Sequence, residues 1–203
     1  MSNKKSLGAK VMLYPTPVLV VCTYDEAGKP NAMTAAWGGI CCSEPPCIAV
    51  SLRKATASYH NILKRRAFTI NIPSEKYAAE ADYFGIVSGR DADKFKVAGL
   101  TAVKADKVDA PAIAEFPLSI ELKLIDSIVI GLHTQFIGQV MDIKADESVL
   151  GASGLPDMQK LRPIAFAPTV RQYYGLGEMI GSAFEIGKGV IDPSKKGSKL
   201  KIL

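Results

Sequence analysis

The sequence predicts a mainly β domain with intercalated helices, its sheet wholly or partly closed into a barrel. Three observations carry that prediction. Short apolar segments of strand character recur along the chain and pair as antiparallel hairpins toward both ends. Two segments have clear helical spacing, too few for the strand–helix alternation of a doubly wound parallel sheet. No GxGxxG follows a strand, which argues against a dinucleotide fold. Closure is the natural way for such an antiparallel sheet to remove its edges.

Residues 18–24 form a β-branched run, and Asp25-Glu26-Ala27-Gly28-Lys29-Pro30 is turn chemistry. Residues 31–37 return as a second strand, a hairpin with a loop longer than two residues. After Pro45-Pro46, residues 47–52 read as a third strand. Residues 56–66 have helical spacing, with Tyr59, Ile62 and Leu63 on one face. Residues 67–72 revert to a period of two, with Phe68, Ile70 and Ile72 pointing one way. A second helix fits 75–84, through Tyr77, Ala81 and Phe84, and 91–97 suits a short helical turn. Residues 119–124 alternate Ile120, Leu122 and Leu124 against polar neighbours. After a turn near Gly131 the chain runs back over 132–145, and a last strand lies at 164–168. The expected organisation is one domain over 1–168 and an irregular C-terminal extension, 169–203, with a basic tail.

Composition narrows the function classes. The chain has 203 residues, 48% of them hydrophobic and 22% charged, which excludes a disordered chain, a fibre and a rod. The net charge is +5, but Lys195, Lys196, Lys199 and Lys201 crowd the end, so the body is nearly neutral. No aromatic residue interleaves those lysines, so a solvated terminus is expected and nucleic acid is not. Pro15 and Pro17 interrupt the apolar stretch that follows Lys10, and no run reaches the ~18 apolar residues of a membrane span. A soluble, cytoplasmic protein is expected. Cys22, Cys41, Cys42 and Cys47 form no CxxC pattern, and His60 and His133 are far apart, so no metal site is expected. Adjacent Cys41 and Cys42 should point to opposite faces of a strand, and all four cysteines read as small buried hydrophobes.

No GxSxG elbow, Walker motif or HExxH is present, so chemistry supplied by a bound cofactor is the attractive reading. Two local signals support it. In Ser51-Leu52-Arg53-Lys54-Ala55-Thr56-Ala57-Ser58, a strand end delivers two cations to a hydroxyl-capped helix start, which suits a phosphate. The same residues equally suit a plain helix cap beside solvated cations. In Ala32-Met33-Thr34-Ala35-Ala36-Trp37-Gly38-Gly39, small residues ending in the single tryptophan leave backbone open to a flat ring; a core tryptophan is the alternative.

Read together, the residues resemble a family. The pattern is Asn31-x-Met33-Thr34-x-x-Trp37, Glu44-Pro45-Pro46, Ser51-x-Arg53, Thr56-x-x-x-x-Asn61-Ile62 and Phe68-x-Ile70-Asn71-Ile72. It continues with Ser88-Gly89-x-x-x-x-Lys94-Phe95, Ala98-Gly99-Leu100-Thr101, Ala110-Pro111-x-Ile113-x-Glu115-x-Pro117 and His133-x-x-Phe136-Ile137-Gly138-x-Val140. It is similar to the FMN-binding split-barrel family of flavin reductases, the flavoredoxins above all, over about residues 17–166.

That resemblance implies an FMN-binding split β-barrel, with FMN held non-covalently at the interface of a homodimer. Asn31, Met33, Thr34, Ala35, Ala36 and Trp37 would border the isoalloxazine ring, largely through backbone groups. Ser51, Leu52, Arg53, Thr56 and Ser58 would approach the ribityl chain and phosphate, with Lys94 as a further cation. His133, the catalytic candidate, and Phe166 match positions near the flavin. Each has a plainer alternative: a surface lysine at 94, a satisfied strand histidine at 133, a core ring at 166. The implied function is electron transfer of the flavoredoxin type, between a redox-protein donor and an acceptor. The alternatives are a flavin reductase using NADH or NADPH, and a non-catalytic FMN-binding or sensing module.

Overall fold

The structure is a computed structural model and describes residues 3–190. The basic tail, expected to be solvated, lies outside the described residues. Its centre is a seven-stranded antiparallel sheet built from β2 (Leu19–Tyr24), β3 (Pro30–Ala35), β4 (Gly38–Ser43), β5 (Pro46–Arg53), β6 (Ala67–Ile72), β9 (Leu118–Ile130) and β10 (His133–Ala145). The spatial order is β3-β2-β6-β9-β10-β5-β4. The strands at the two ends, β3 and β4, are consecutive in the chain, so the sheet curls until its ends come together. Gly38 marks the meeting point: a Cβ there would lie 2.7 Å from the Ala49 carbonyl oxygen and 2.8 Å from Leu19 Cδ1.

Nearly every strand sends side chains into the barrel. Leu19, Val21, Ala35, Val50, Leu52, Phe68, Ile70, Leu122, Leu124 and Phe136 pack there, joined by Ile62 of α1 (Ala57–Arg65). A second core lies outside the barrel. It packs Val18, Val20, Cys22 and Ala32 against Ala81 and Phe84 of α2 (Ala78–Ile86) and Phe95 of α3 (Lys94–Ala98). The unbroken apolar run at 18–22 follows: one set of alternate residues fills the barrel and the other faces the helices. The short hairpin of β7 (Ala102–Lys104) and β8 (Pro111–Ile113) lies along this second core, and Ile113 enters it.

Hydrogen bonds between elements fix the helices. The Thr34 hydroxyl donates to the Ala81 carbonyl, tying α2 to β3. Asn61 Nδ2 donates to Thr23 Oγ1 at 3.0 Å, tying α1 to β2. A third sheet joins β1 (Thr16–Pro17), β11 (Ile164–Ala167) and β12 (Gln172–Gly175), the last reached past the short helix α4 (Met158–Leu161). Chain pairing therefore continues beyond residue 168.

Several expectations need correction. Residues 38–43 form a strand, β4, that the sequence reading passed over; all but Gly38 are exposed, so no burial alternation marks them. The second helix divides into a 3₁₀ turn at Glu75–Tyr77 and α2. The first long strand, expected over 119–124, extends to thirteen residues in β9, while β10 keeps the expected span to within one residue; the distal Ile128, Val129, Ile130 and Leu132 are exposed. Cys41 and Cys42 are exposed rather than buried. Nor do they sit on opposite faces of a regular strand, because the register shifts between Ile40 and Cys42. Among the described residues no helix is long and apolar enough to cross a membrane, and no His/Cys/Asp/Glu group is placed to hold a metal ion.

Candidate functional site

The chemistry-bearing residues converge where β5 ends and α1 begins. Thr56 caps α1: its Oγ1 accepts from the Tyr59 amide at 3.3 Å and donates to the Arg53 carbonyl at 2.9 Å. The helix start is thereby fixed with amide N–H groups directed outward and the partial positive charge of its dipole. Ser58, fully buried, accepts from Asn31 Nδ2 at 2.9 Å. Across from it lies the loop after α2. Arg90 Nη1 donates to the Ala55 carbonyl at 3.0 Å, which ties the loop to the β5–α1 turn.

Between these walls is a cavity of about 280 Å³, lined by Asn31, Met33, Arg53, Thr56, Ser58 and Lys94 together with Phe84–Gly89 backbone and side chains. An adjoining cavity of about 510 Å³ shares Asn31, Ala57 and Gly89 with it and continues past His60 and Arg90. Two cations and no carboxylate line the first cavity among the described residues. Lys94 is the more unusual of the two. It is 4% exposed, and its Nζ donates to the Phe84 carbonyl at 2.9 Å. Burial pulls its pKa down to about 8, a shift only partly offset by the nearby Cys22 thiol. At neutral pH Lys94 remains a cation.

Two further observations bear on whether an anionic cofactor fits. Asn31 Oδ1 is buried with no hydrogen-bond partner, an acceptor left over at the cavity wall. Gly89 packs directly on it: a Cβ at position 89 would fall 1.8 Å from Asn31 Oδ1. The set of helix-terminal amides, hydroxyls, guanidinium and ammonium is one that holds a phosphate ester. Gly89→Ala should displace Asn31 and disturb its bond to Ser58. The expected outcome is a weaker affinity for a phosphate-bearing ligand, measured by titration calorimetry, with the barrel's circular-dichroism spectrum unchanged.

The structure brings Asn31, Met33, Arg53, Thr56, Ser58 and Lys94 together and places the other candidates around them. Leu52, 1% exposed, and buried Ala35 turn into the barrel core, so only their backbones are available to a ligand. Thr34 uses its hydroxyl on Ala81. Ser51 donates its amide to the Trp37 carbonyl at 2.8 Å. His133 is the register partner of Arg53 across β10 and β5, which sets it at the same strand end. Trp37 and Ala36 line a different cavity, of about 310 Å³, against Val11, Met12 and Leu13. Phe166 lies 5.3 Å from Tyr173 between ring centroids, tilted by 40°, and lines a further cavity of about 440 Å³ that shares Pro15 with the Trp37 cavity. Sequence reasoning assigned no role to Gly89 or Arg90; the Ser88-Gly89 pair in the motif was the signal.

Comparison with known proteins establishes the family and the fold. Residues 11–168 match the model of the flavin reductase like domain. The structure superposes on the flavoredoxin of Desulfovibrio vulgaris (Miyazaki F) with a TM-score of 0.87 and 57% identity, covering 91% of this chain and 99% of that one. The flavoredoxin of Methanosarcina acetivorans gives a TM-score of 0.87 at 25% identity, over 94% and 100% of the two chains. An FMN-binding protein of Thermus thermophilus, 21% identical, shares the fold at a TM-score of 0.75, over 90% and 99% of the chains. Among curated relatives, an uncharacterized protein of Aeropyrum pernix is 29% identical over 79% of this chain, which spans 60% of that protein's length. With most of its length matched, and the match spanning the whole barrel, the chain belongs to the flavin reductase like domain family.

Proposed function

We propose that the protein is an FMN-binding electron-transfer flavoprotein of the flavoredoxin type. The carrying observation is the convergence of the α1 N-terminus, Arg53 and buried Lys94 on one cavity without a carboxylate. The 57% identity to a flavoredoxin over 91% of this chain supports the same reading. In it, the α1 amides and the Arg53 guanidinium hold the FMN phosphate, and Asn31 Oδ1 accepts a hydrogen bond from the ligand. Lys94 adds positive charge where burial makes it count. His133, beside Arg53 in register, is the candidate for a group close to the reacting ring. When bound, FMN supplies the electron-accepting and electron-donating chemistry; the chain binds it, orients it and limits its contact with water.

A second copy of the chain is part of this proposal. The tip of the β9–β10 hairpin exposes Ile128, Val129, Ile130 and Leu132 together, an apolar patch suited to a partner surface. Sedimentation equilibrium should give twice the chain mass. The donor is assigned by anaerobic mixing. Bleaching of the flavin by a reduced redox protein, and not by NADH or NADPH, is the outcome that fits a carrier.

The phosphate site is tested by comparing FMN with riboflavin. FMN should bind at least tenfold more tightly, because each charge-assisted hydrogen bond to phosphate contributes roughly 1.5–3 kcal/mol. Thr56→Ala should narrow that preference and, by removing the cap, lower stability by about 1 kcal/mol. Equal affinity for the two flavins contradicts the phosphate site.

A further inference from the structure

Three of the four cysteines gather at one irregularity of the sheet, away from the cavity described above. In β4 and β5 the register runs from the pair Ile40 and Ile48 directly to the pair Cys42 and Cys47. Cys41 is the extra residue, so Cys41 and Cys42 together oppose Cys47, the arrangement of a β-bulge. Both thiols are close enough to Cys47 to raise its pKa further, on top of the larger effect of desolvation. Cys42 is exposed and its Sγ donates to the Glu44 carbonyl at 3.3 Å, whereas Cys47 is 3% exposed behind it.

Opposed residues of an antiparallel pair have Cα atoms about 4.5–5.5 Å apart, inside the ~4.4–6.8 Å window of a disulfide. Cys41 and Cys42, as chain neighbours, are poorly placed to bridge each other. Cys22 is excluded on other grounds: it is fully buried in the second core, and burial pushes its thiol far above the usual range. An accessible thiol directly opposite a sheltered one is the arrangement of an attacking and a resolving cysteine.

We propose that Cys42 and Cys47 form a reversible dithiol–disulfide couple that exchanges with low-molecular-weight disulfides. The Cys42 thiolate attacks one sulfur of the small disulfide, forming a mixed disulfide and releasing one small thiolate. The Cys47 thiolate then attacks Cys42 Sγ, closing the Cys42–Cys47 bond and releasing the second. The pair loses two electrons, the small disulfide gains two, and the protons lost by the two cysteines go to the two leaving thiolates. A small dithiol drives the reverse. The proposal is independent of the flavin reading, since none of the three cysteines lines the cation-bearing cavity.

The test uses the reduced full-length protein as purified, treated with glutathione disulfide. Free thiols are counted by alkylation after denaturation, and the bridge is located by peptide mass mapping. The free thiols should fall from four to two, with a Cys42–Cys47 linkage inside one chain that dithiothreitol reverses. Cys41→Ser should still form the bridge, and Cys42→Ser, at an exposed site, should leave its three thiols free. Cys47→Ser should stop at a mixed disulfide on Cys42. Four thiols remaining free in the wild type, a bridge involving Cys41, or bridging only between chains would overturn the proposal.

Discussion

Lys94→Met is expected to weaken FMN binding about ten- to a hundredfold, since it removes one charge-assisted contact of roughly 1.5–3 kcal/mol from a dry site. The substitution keeps the volume of the side chain and deletes its charge. Its pH signature separates this effect from simple misfolding. Burial holds Lys94 near pKa 8, below the ordinary lysine value of 10.5, so the free protein loses this cation as pH rises through 8. Wild-type FMN affinity should therefore fall above pH 8, by at most about tenfold per pH unit, and the Met variant should show no such slope.

Stability runs the other way. Between about pH 8 and 10.5 the unfolded chain holds the Lys94 proton and the folded chain has released it. Stability of the FMN-free protein then rises with pH across that window, because the unfolded state binds more protons. Lys94→Met should abolish this gain. Opposite pH trends for binding and for stability, both traced to one residue, would be hard to produce by any other route. Fluorescence titration of FMN at pH 7 and 9.5, with denaturant melts at the same two values, checks both.

Phe136→Ala should cost the fold about 3–5 kcal/mol and lower the melting temperature by on the order of 10 °C. The ring is fully buried in the barrel and meets Tyr59 of α1 edge-on at 5.3 Å between centroids. Removing it leaves a void on strand β10, between Thr134 and the bulged stretch at Ile137 and Gly138. Close packing there is already tight: a Cβ at Gly138 would lie 2.7 Å from Phe68 Cζ. A loss below 1 kcal/mol in urea melts would mean that the barrel interior collapses around the gap and that Phe136 is no keystone.

The parts of the fold legible in the sequence are those fixed by local signals. The first hairpin was readable because residues 25–30 combine turn chemistry with Gly28, which adopts a positive φ of 81°. Helix α1 was readable from its cap and its apolar face. Strand β4 was not, since an exposed strand with two leading glycines and a bulge shows no alternation. The outer half of β9 escaped for a related reason: Ile128-Val129-Ile130 is apolar throughout and faces no core.

The candidate site divides in the same way. The Ser51–Ser58 segment could be read as an anion site because strand end, cations and helix cap are adjacent in the chain. Asn31 and Lys94 reach the same cavity only through tertiary structure, and it was the family pattern that pointed to them. The contact of Gly89 with Asn31 joins residues 58 apart in the chain, and only the Ser88-Gly89 pair of the family pattern hints at it. Trp37 and Phe166, grouped with the flavin by resemblance, line neighbouring cavities around Pro15 rather than the cation-bearing one. Arg53 and His133, distant in sequence, are register partners, and only the pairing of β5 with β10 reveals it.

The central claim is that the chain binds FMN, and the visible absorption spectrum of the purified protein tests it most directly. The spectrum is recorded as purified, then after addition of FMN and desalting. Retention of close to one FMN per chain is the predicted result. A colourless protein that neither retains FMN nor binds it in a titration at neutral pH would contradict the account.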